Sequence, residues 1–237
     1  MTSIFEKWSP VTYDFGLIQS SMELVTDSYQ EWFAESGAEL IRRPLEGSLT
    51  AKFEALLPLT NSLNRRLFLP SDCGWVAFFQ NGIQGSDPSF NMMKLSLRLN
   101  VYAMRVCRSP PAARYPSVIW EVFAPESLGG TRHGYRRSIA ASNDGGRWIF
   151  EQSGTPFDFE RVKCYEAKRK VDRFTGEMLE DYLNHFGIPE LSDELLITTT
   201  DLPAVLFEQE KATSLPEFTL EEVTQGVPWR RKLDSGA

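Results

Sequence analysis

Cysteine is scarce in this chain: three among 237 residues, Cys73, Cys107 and Cys164, widely spaced and odd in number. No Cys-x-x-Cys pair occurs, so a disulfide framework is not expected, and a zinc site lacks ligands at usable spacing. Histidine is scarcer still, with only His133 and His185. No His-x-x-x-His or Asp-x-Asp pattern accompanies them, so neither metal nor cofactor is expected. Long apolar runs are missing too. The longest run of large apolar residues covers 75–79, far short of the roughly 20 that span a bilayer. The first residues show no basic stretch leading into an apolar one, so no secretory signal is read and a cytoplasmic location is expected.

What is present is ordinary for a globular protein: 42% hydrophobic and 24% charged residues, in a chain long enough to bury a core without staples. The net charge of −7 is unevenly spread. Residues 1–60 hold 4 basic and 9 acidic side chains, 61–120 hold 7 and 2, 121–175 hold 10 and 8, and 176–237 hold 4 and 13. A basic middle between acidic ends has two readings. Either the ends neutralise the middle inside the fold, or they present an anionic surface that steers a basic partner. The excess of arginine at 98, 105, 108, 114, 136, 137, 169 and 173 is too small, in a chain that is acidic overall, for nucleic-acid binding to be expected.

Helical spacing and stop signals place a helix over 20–37, with Met22, Val25, Tyr29, Trp32 and Phe33 on its apolar side and Gly37 as the stop. A shorter helix is read over 48–57. Asp87 and Pro88 open another, running to about Asn100, and a last one spans 174–186. Strands are read at 66–69, 75–79, 102–108, 118–123, 135–142 and 147–152, with a further one at 163–170. Asn143-Asp144-Gly145-Gly146 supplies residues that tolerate the left-handed backbone of a tight hairpin. Residues 1–19 read as an irregular lead-in. The fold class expected is α+β, a mainly antiparallel sheet with helices packed on one face. The α+β domain covers 1–189, and 190–237 forms an acidic C-terminal extension, packed on the domain or serving as a docking arm. That extension ends in the basic run at 229–232.

No nucleophile–base constellation is assembled. Cys73-Gly74-Trp75 lacks the upstream cysteine of papain-like enzymes and is followed by a strand rather than a helix. His133 sits in a Gly-rich basic loop at 129–137 that does not match a phosphate loop. The carboxylates of interest are Glu121 and Glu151, each inside a strand. If their faces coincide with that of Arg137, two carboxylates and a guanidinium meet on the sheet, a possible acid–base site.

The stretch Tyr135-Arg136-Arg137-Ser138-Ile139-Ala140-Ala141-Ser142-Asn143-Asp144-Gly145-Gly146-Arg147-Trp148-Ile149-Phe150-Glu151 resembles a segment of uncharacterised bacterial proteins to which no activity is attached. The order of strand, Asp-Gly-Gly turn, strand, irregular link and final amphipathic helix is similar to the SUKH superfamily, many of whose bacterial members are immunity proteins for polymorphic toxins. That resemblance implies an α+β sheet with helices on one side and a toxin-binding cleft or edge.

The expected function is therefore protein binding: an immunity-type inhibitor that occludes a bacterial toxin, its partner a basic toxin domain. Glu208, Glu210, Glu217, Glu221 and Glu222 form the expected contact zone. Two alternatives stand beside it. One is an enzyme with an acid–base site around Glu121, Glu151, Arg137 and His133. The other is a scaffold or adaptor docking through the aromatic helix at 20–34 or the C-terminal arm.

Overall fold

The computed structural model describes residues 3–85, 87–196, 198–199, 202–210 and 216–228; the basic run at 229–232 lies outside them. In chain order the elements are α1 (Ile4–Lys7), β1 (Asp14–Ile18), α2 (Met22–Glu35), β2 (Ile41–Leu45), α3 (Leu49–Glu54), β3 (Leu59–Thr60), β4 (Arg65–Pro70), β5 (Val76–Gln80) and α4 (Ser89–Leu99). They continue with β6 (Ala103–Arg108), β7 (Ser117–Phe123), β8 (Tyr135–Asn143), β9 (Trp148–Gly154), α5 (Gly176–Asn184), α6 (Asp193–Leu196), β10 (Ala204–Glu208), β11 (Glu217–Phe218) and α7 (Leu220–Thr224).

Among the described residues nine strands form one sheet in the order β2-β10-β4-β5-β1-β6-β7-β8-β9. Every neighbouring pair is antiparallel. The α+β class with a mainly antiparallel sheet is what the sequence leads one to expect. The helices differ: they cover both faces. Side chains alternate across each strand, and here both sets are apolar. Phe68, Phe78, Ala103 and Phe207 face α2 and α4. Leu67, Phe79, Val106, Trp120 and Leu206 belong to a larger cluster on the opposite face, with α3, α5 and α6. A sheet apolar on both sides needs a layer on each.

Local chemistry explains the helix starts. Ser21 accepts from the Leu24 amide at 3.3 Å, Ser48 from Ala51 at 3.2 Å and Thr175 from Met178 at 3.3 Å, each satisfying an orphan N–H of a first turn. α7 opens with a reciprocal capping box between Thr219 and Glu222. The aromatic side of α2 is spent inside the molecule: Tyr29 is buried and touches Phe68, Phe78 and Phe207. The β8–β9 hairpin turns where the sequence places it, with Asn143 Oδ1 accepting from the Gly145 amide at 2.9 Å.

Three stretches depart from expectation. The irregular lead-in contains β1, a central strand buried along its whole length. The strand expected at 163–170 is replaced by short 3-10 turns, Val162–Glu166 and Lys170–Asp172. Side-chain bonds from Glu160 and Tyr165 hold that stretch in place. Within the acidic C-terminal stretch, β10 enters the sheet between β2 and β4. Its apolar run Ala204 to Phe207 is buried on both faces, which explains why it packs as an inner strand and not as a surface arm.

Candidate functional site

β6 alternates. Met104 and Val106 enter the larger core, so Arg105 and Cys107 point to the face that α2 and α4 cover. Gly16 lies beside Arg105 on β1 and Glu121 beside it on β7. The guanidinium reaches Asp14 on the neighbouring strand, Nε to Oδ1 at 2.9 Å and Nη2 to Oδ2 at 2.6 Å. Its remaining nitrogen approaches Asp87 at 3.2 Å and Glu121 at 3.4 Å. Ser89, the first residue of α4, has its hydroxyl 2.5 Å from both Asp87 Oδ1 and Glu121 Oε2. A hydroxyl has one proton to give, so the two carboxylates compete for it. Three carboxylates thus surround one guanidinium, Asp14 and Glu121 largely withdrawn from water and Asp87 exposed at its outer side.

The consequence falls on Asp14. Burial pushes its carboxyl up to about 7, against the pull of Arg105 and with help from Asp87 and Glu121. Asp14 and Arg105 form one wall of a cavity of about 570 Å³, lined also by Tyr13, Cys107, Tyr115 and Val223. The Cys107 thiol is pushed up to about 12, mainly by burial, which removes it as a nucleophile at neutral pH. The arrangement offers a proton-exchanging carboxyl, a local excess of negative charge and an aromatic rim. The polar row continues past Asp14 to Gln80 on β5 and Arg66 on β4, so five adjacent strands each contribute one polar side chain to the same end of the same face.

The residues proposed for an acid–base site do not converge. Glu121 joins Arg105 and Asp14. Arg137 lies on the other face of the sheet, where Glu160 accepts from its Nε at 2.9 Å and its Nη2 at 2.7 Å. Glu151 is exposed on the edge strand β9, and His133 is exposed in its loop, accepting from Arg132 Nε at 2.9 Å. Asp14 and Ser89 carry no site signal in the sequence, because the first sits in a stretch that reads as loop and the second meets Glu121 through tertiary contact; Asp87 reads only as the opening of a helix. One signal was available: Arg105 is a charge flanked by Met104 and Val106 in an apolar strand, which asks for a buried partner.

Of the expected contact zone, Glu208 is occupied internally by Arg43 and, at 2.9 Å, by Arg65. Glu210, Glu217 and Glu221 are exposed. Glu221 accepts from Gln225 Nε2 at 3.0 Å, and Glu222 closes the α7 capping box. The acidic ends do neutralise part of the basic middle: Asp14 holds Arg105, Glu35 holds Arg98 and Glu180 holds Arg108. No group of three or more possible metal ligands occurs among the described residues, and none of their helices is long and apolar enough to cross a membrane. Comparison with protein-family models, with curated proteins and with solved structures returns no match.

Proposed function

We propose that the chain works by binding a second, basic protein, and that its specific form is an immunity-type inhibitor that occludes a bacterial toxin. One observation carries this reading: the cavity and the exposed acids are neighbours. Val223 and Thr224 of α7 line the cavity, while Glu221 on the same helix and Glu217 just before it face solvent. Tyr115, 46% exposed, stands at the cavity wall. Acids at a rim raise the encounter rate with a cationic partner, and an aromatic beside a concavity anchors it once docked. Replacing Glu210, Glu217 and Glu221 with glutamine is expected to slow association with the partner that co-purifies from the native host and to flatten its salt dependence. Unchanged association kinetics would reject this contact zone.

A second reading, an enzyme, is favoured by Asp14. A carboxyl held near neutrality at the wall of a cavity meets the first requirement of a general acid or base. Glu121 and Arg105 then act on Asp14, and Glu151 and Arg137 take no part. A small-molecule screen read by thermal shift, with Asp14→Asn as control, tests it. Hits that stabilise both forms equally do not use the carboxyl.

A further inference from the structure

Among the described residues two arginines are buried, Arg66 and Arg137; Arg137 has Glu160 as its carboxylate, as the half-buried Arg65 and Arg105 have Glu208 and Asp14. Arg66 is the exception among the buried residues. It is 8% exposed, yet no carboxylate of the described residues lies within ion-pair distance of it. Its Nη2 donates to the neutral Gln209 Oε1 at 3.0 Å, and its guanidinium lies over the Phe33 ring at 4.8 Å. Stacking on a ring face offsets part of the charge but satisfies no N–H. The Tyr29 hydroxyl also lies beside the guanidinium, but Nε and Nη1 are buried with no acceptor at hydrogen-bond geometry.

A second orphan stands directly across the ladder. Gln80 is the register partner of Arg66 on β5 and points to the same face. Its Oε1 is buried without a donor. Two donors on a cation and one acceptor on an amide are adjacent and do not reach each other. A species that fits between them must bring negative oxygen to Arg66 and an O–H to Gln80. Water meets the second demand and leaves the charge uncompensated, which is the costly part of burying a guanidinium.

We propose that Arg66 and Gln80 form a site for a small oxyanion that also carries an O–H, hydrogen phosphate being the simplest, roofed by Phe33 of α2. The forked guanidinium is the side chain best shaped for such an oxyanion. Phe33 sits in the last turn of α2, at the edge of the layer that covers this face. This site is independent of the protein-binding reading, which uses α7 and the cavity.

The test is thermal unfolding of the full chain in millimolar phosphate, sulfate or acetate at constant ionic strength. Phosphate is expected to raise Tm saturably by several degrees, and sulfate, which has no O–H at neutral pH, by less. Arg66→Met is expected to melt higher than the parent in anion-free buffer and to ignore phosphate. Gln80→Leu is expected to reduce the phosphate response to that of sulfate. Should Arg66→Met fail to fold, phosphorus-31 line broadening by the parent chain and by Gln80→Leu reads the same site. No saturable shift in the parent chain, or a shift retained in Arg66→Met, overturns the proposal. Equal responses to sulfate and phosphate remove Gln80 from it.

Discussion

Arg105 and Arg137 project from opposite faces of one sheet, and the contrast between their surroundings separates a cluster with a perturbed carboxyl from a saturated brace. Arg137 is saturated: besides Glu160 it donates to the carbonyls of Ser153 at 2.9 Å and Gly154 at 3.1 Å and to Gln152 Oε1 at 2.7 Å. Glu160 accepts in addition from Tyr165 at 2.8 Å, which touches Tyr182 at 2.9 Å. Removing one partner leaves the other charged in a dry site, so Glu160→Gln should cost about 3–5 kcal/mol in urea unfolding. Replacing both with methionine should recover much of that, and a double variant no better than the single would refute this account. Asp14 behaves in the opposite sense. Its ordinary value is 3.8 and its folded value about 7, so between those pH values the native chain holds a proton that the unfolded chain has lost. The stability this group contributes is full below 3.8, declines as pH rises and is gone above about 7. Measured against Asp14→Asn, the parent chain should lose a few kcal/mol of stability between pH 4 and pH 7, by the ~1.4 kcal/mol that each pH unit is worth. Parallel pH profiles would show that Asp14 does not titrate there.

At the scale of the element, legibility followed how local each signal was. Helices α2, α3 and α5 announce themselves by a capping side chain followed by an apolar stripe, and both cues lie within a few residues. The β8–β9 hairpin was readable for the same reason. β1 was not, because Asp14 and Gly16 interrupt its apolar run, and both interruptions are explained only by the neighbours: Arg105 claims the carboxylate, and Met92 fills the space above the glycine. β2 was hidden by Arg42, Arg43 and Pro44, residues suited to an edge strand and equally to a loop. Glu160 was invisible, since nothing in the sequence links it to Arg137. One glycine ties two of these elements together. Gly154 ends β9 with φ +81°, and a β-carbon there would strike the carbonyl of Arg136. It also begins the loop that returns Glu160 to Arg137. Gly154→Ala is expected to destabilise by about 1–3 kcal/mol and to weaken hydrogen-exchange protection along β9 before β7. An unchanged urea midpoint would contradict this.

For the whole molecule, the charge pattern and the topology describe one arrangement. The acidic ends of the chain lie against its basic middle through Asp14, Glu35, Glu180 and Glu208, so these acids are engaged internally while the net charge of −7 is carried by the others. Glu208 shows how closely the two are joined, because the strand that carries it is the only described neighbour of β2 and one of the two neighbours of β4. A chain cut after residue 203 should therefore fail to give a folded monomer. Far-UV circular dichroism and size exclusion would reveal it as unfolded or aggregated, and a compact, cooperatively melting product would show that β10 is dispensable.

β10 also sets a timetable. A ribosome making this chain delivers β4 and β5 early, while the strand that must lie alongside β4 is still more than a hundred residues from being synthesised, between Pro70 and Ala204. Until it emerges, the outer edge of β4 offers unpaired backbone groups to any passing strand. Growth of the nascent polypeptide thus proceeds with an open seam, and the interval before that seam is sewn is when a holding chaperone would matter most.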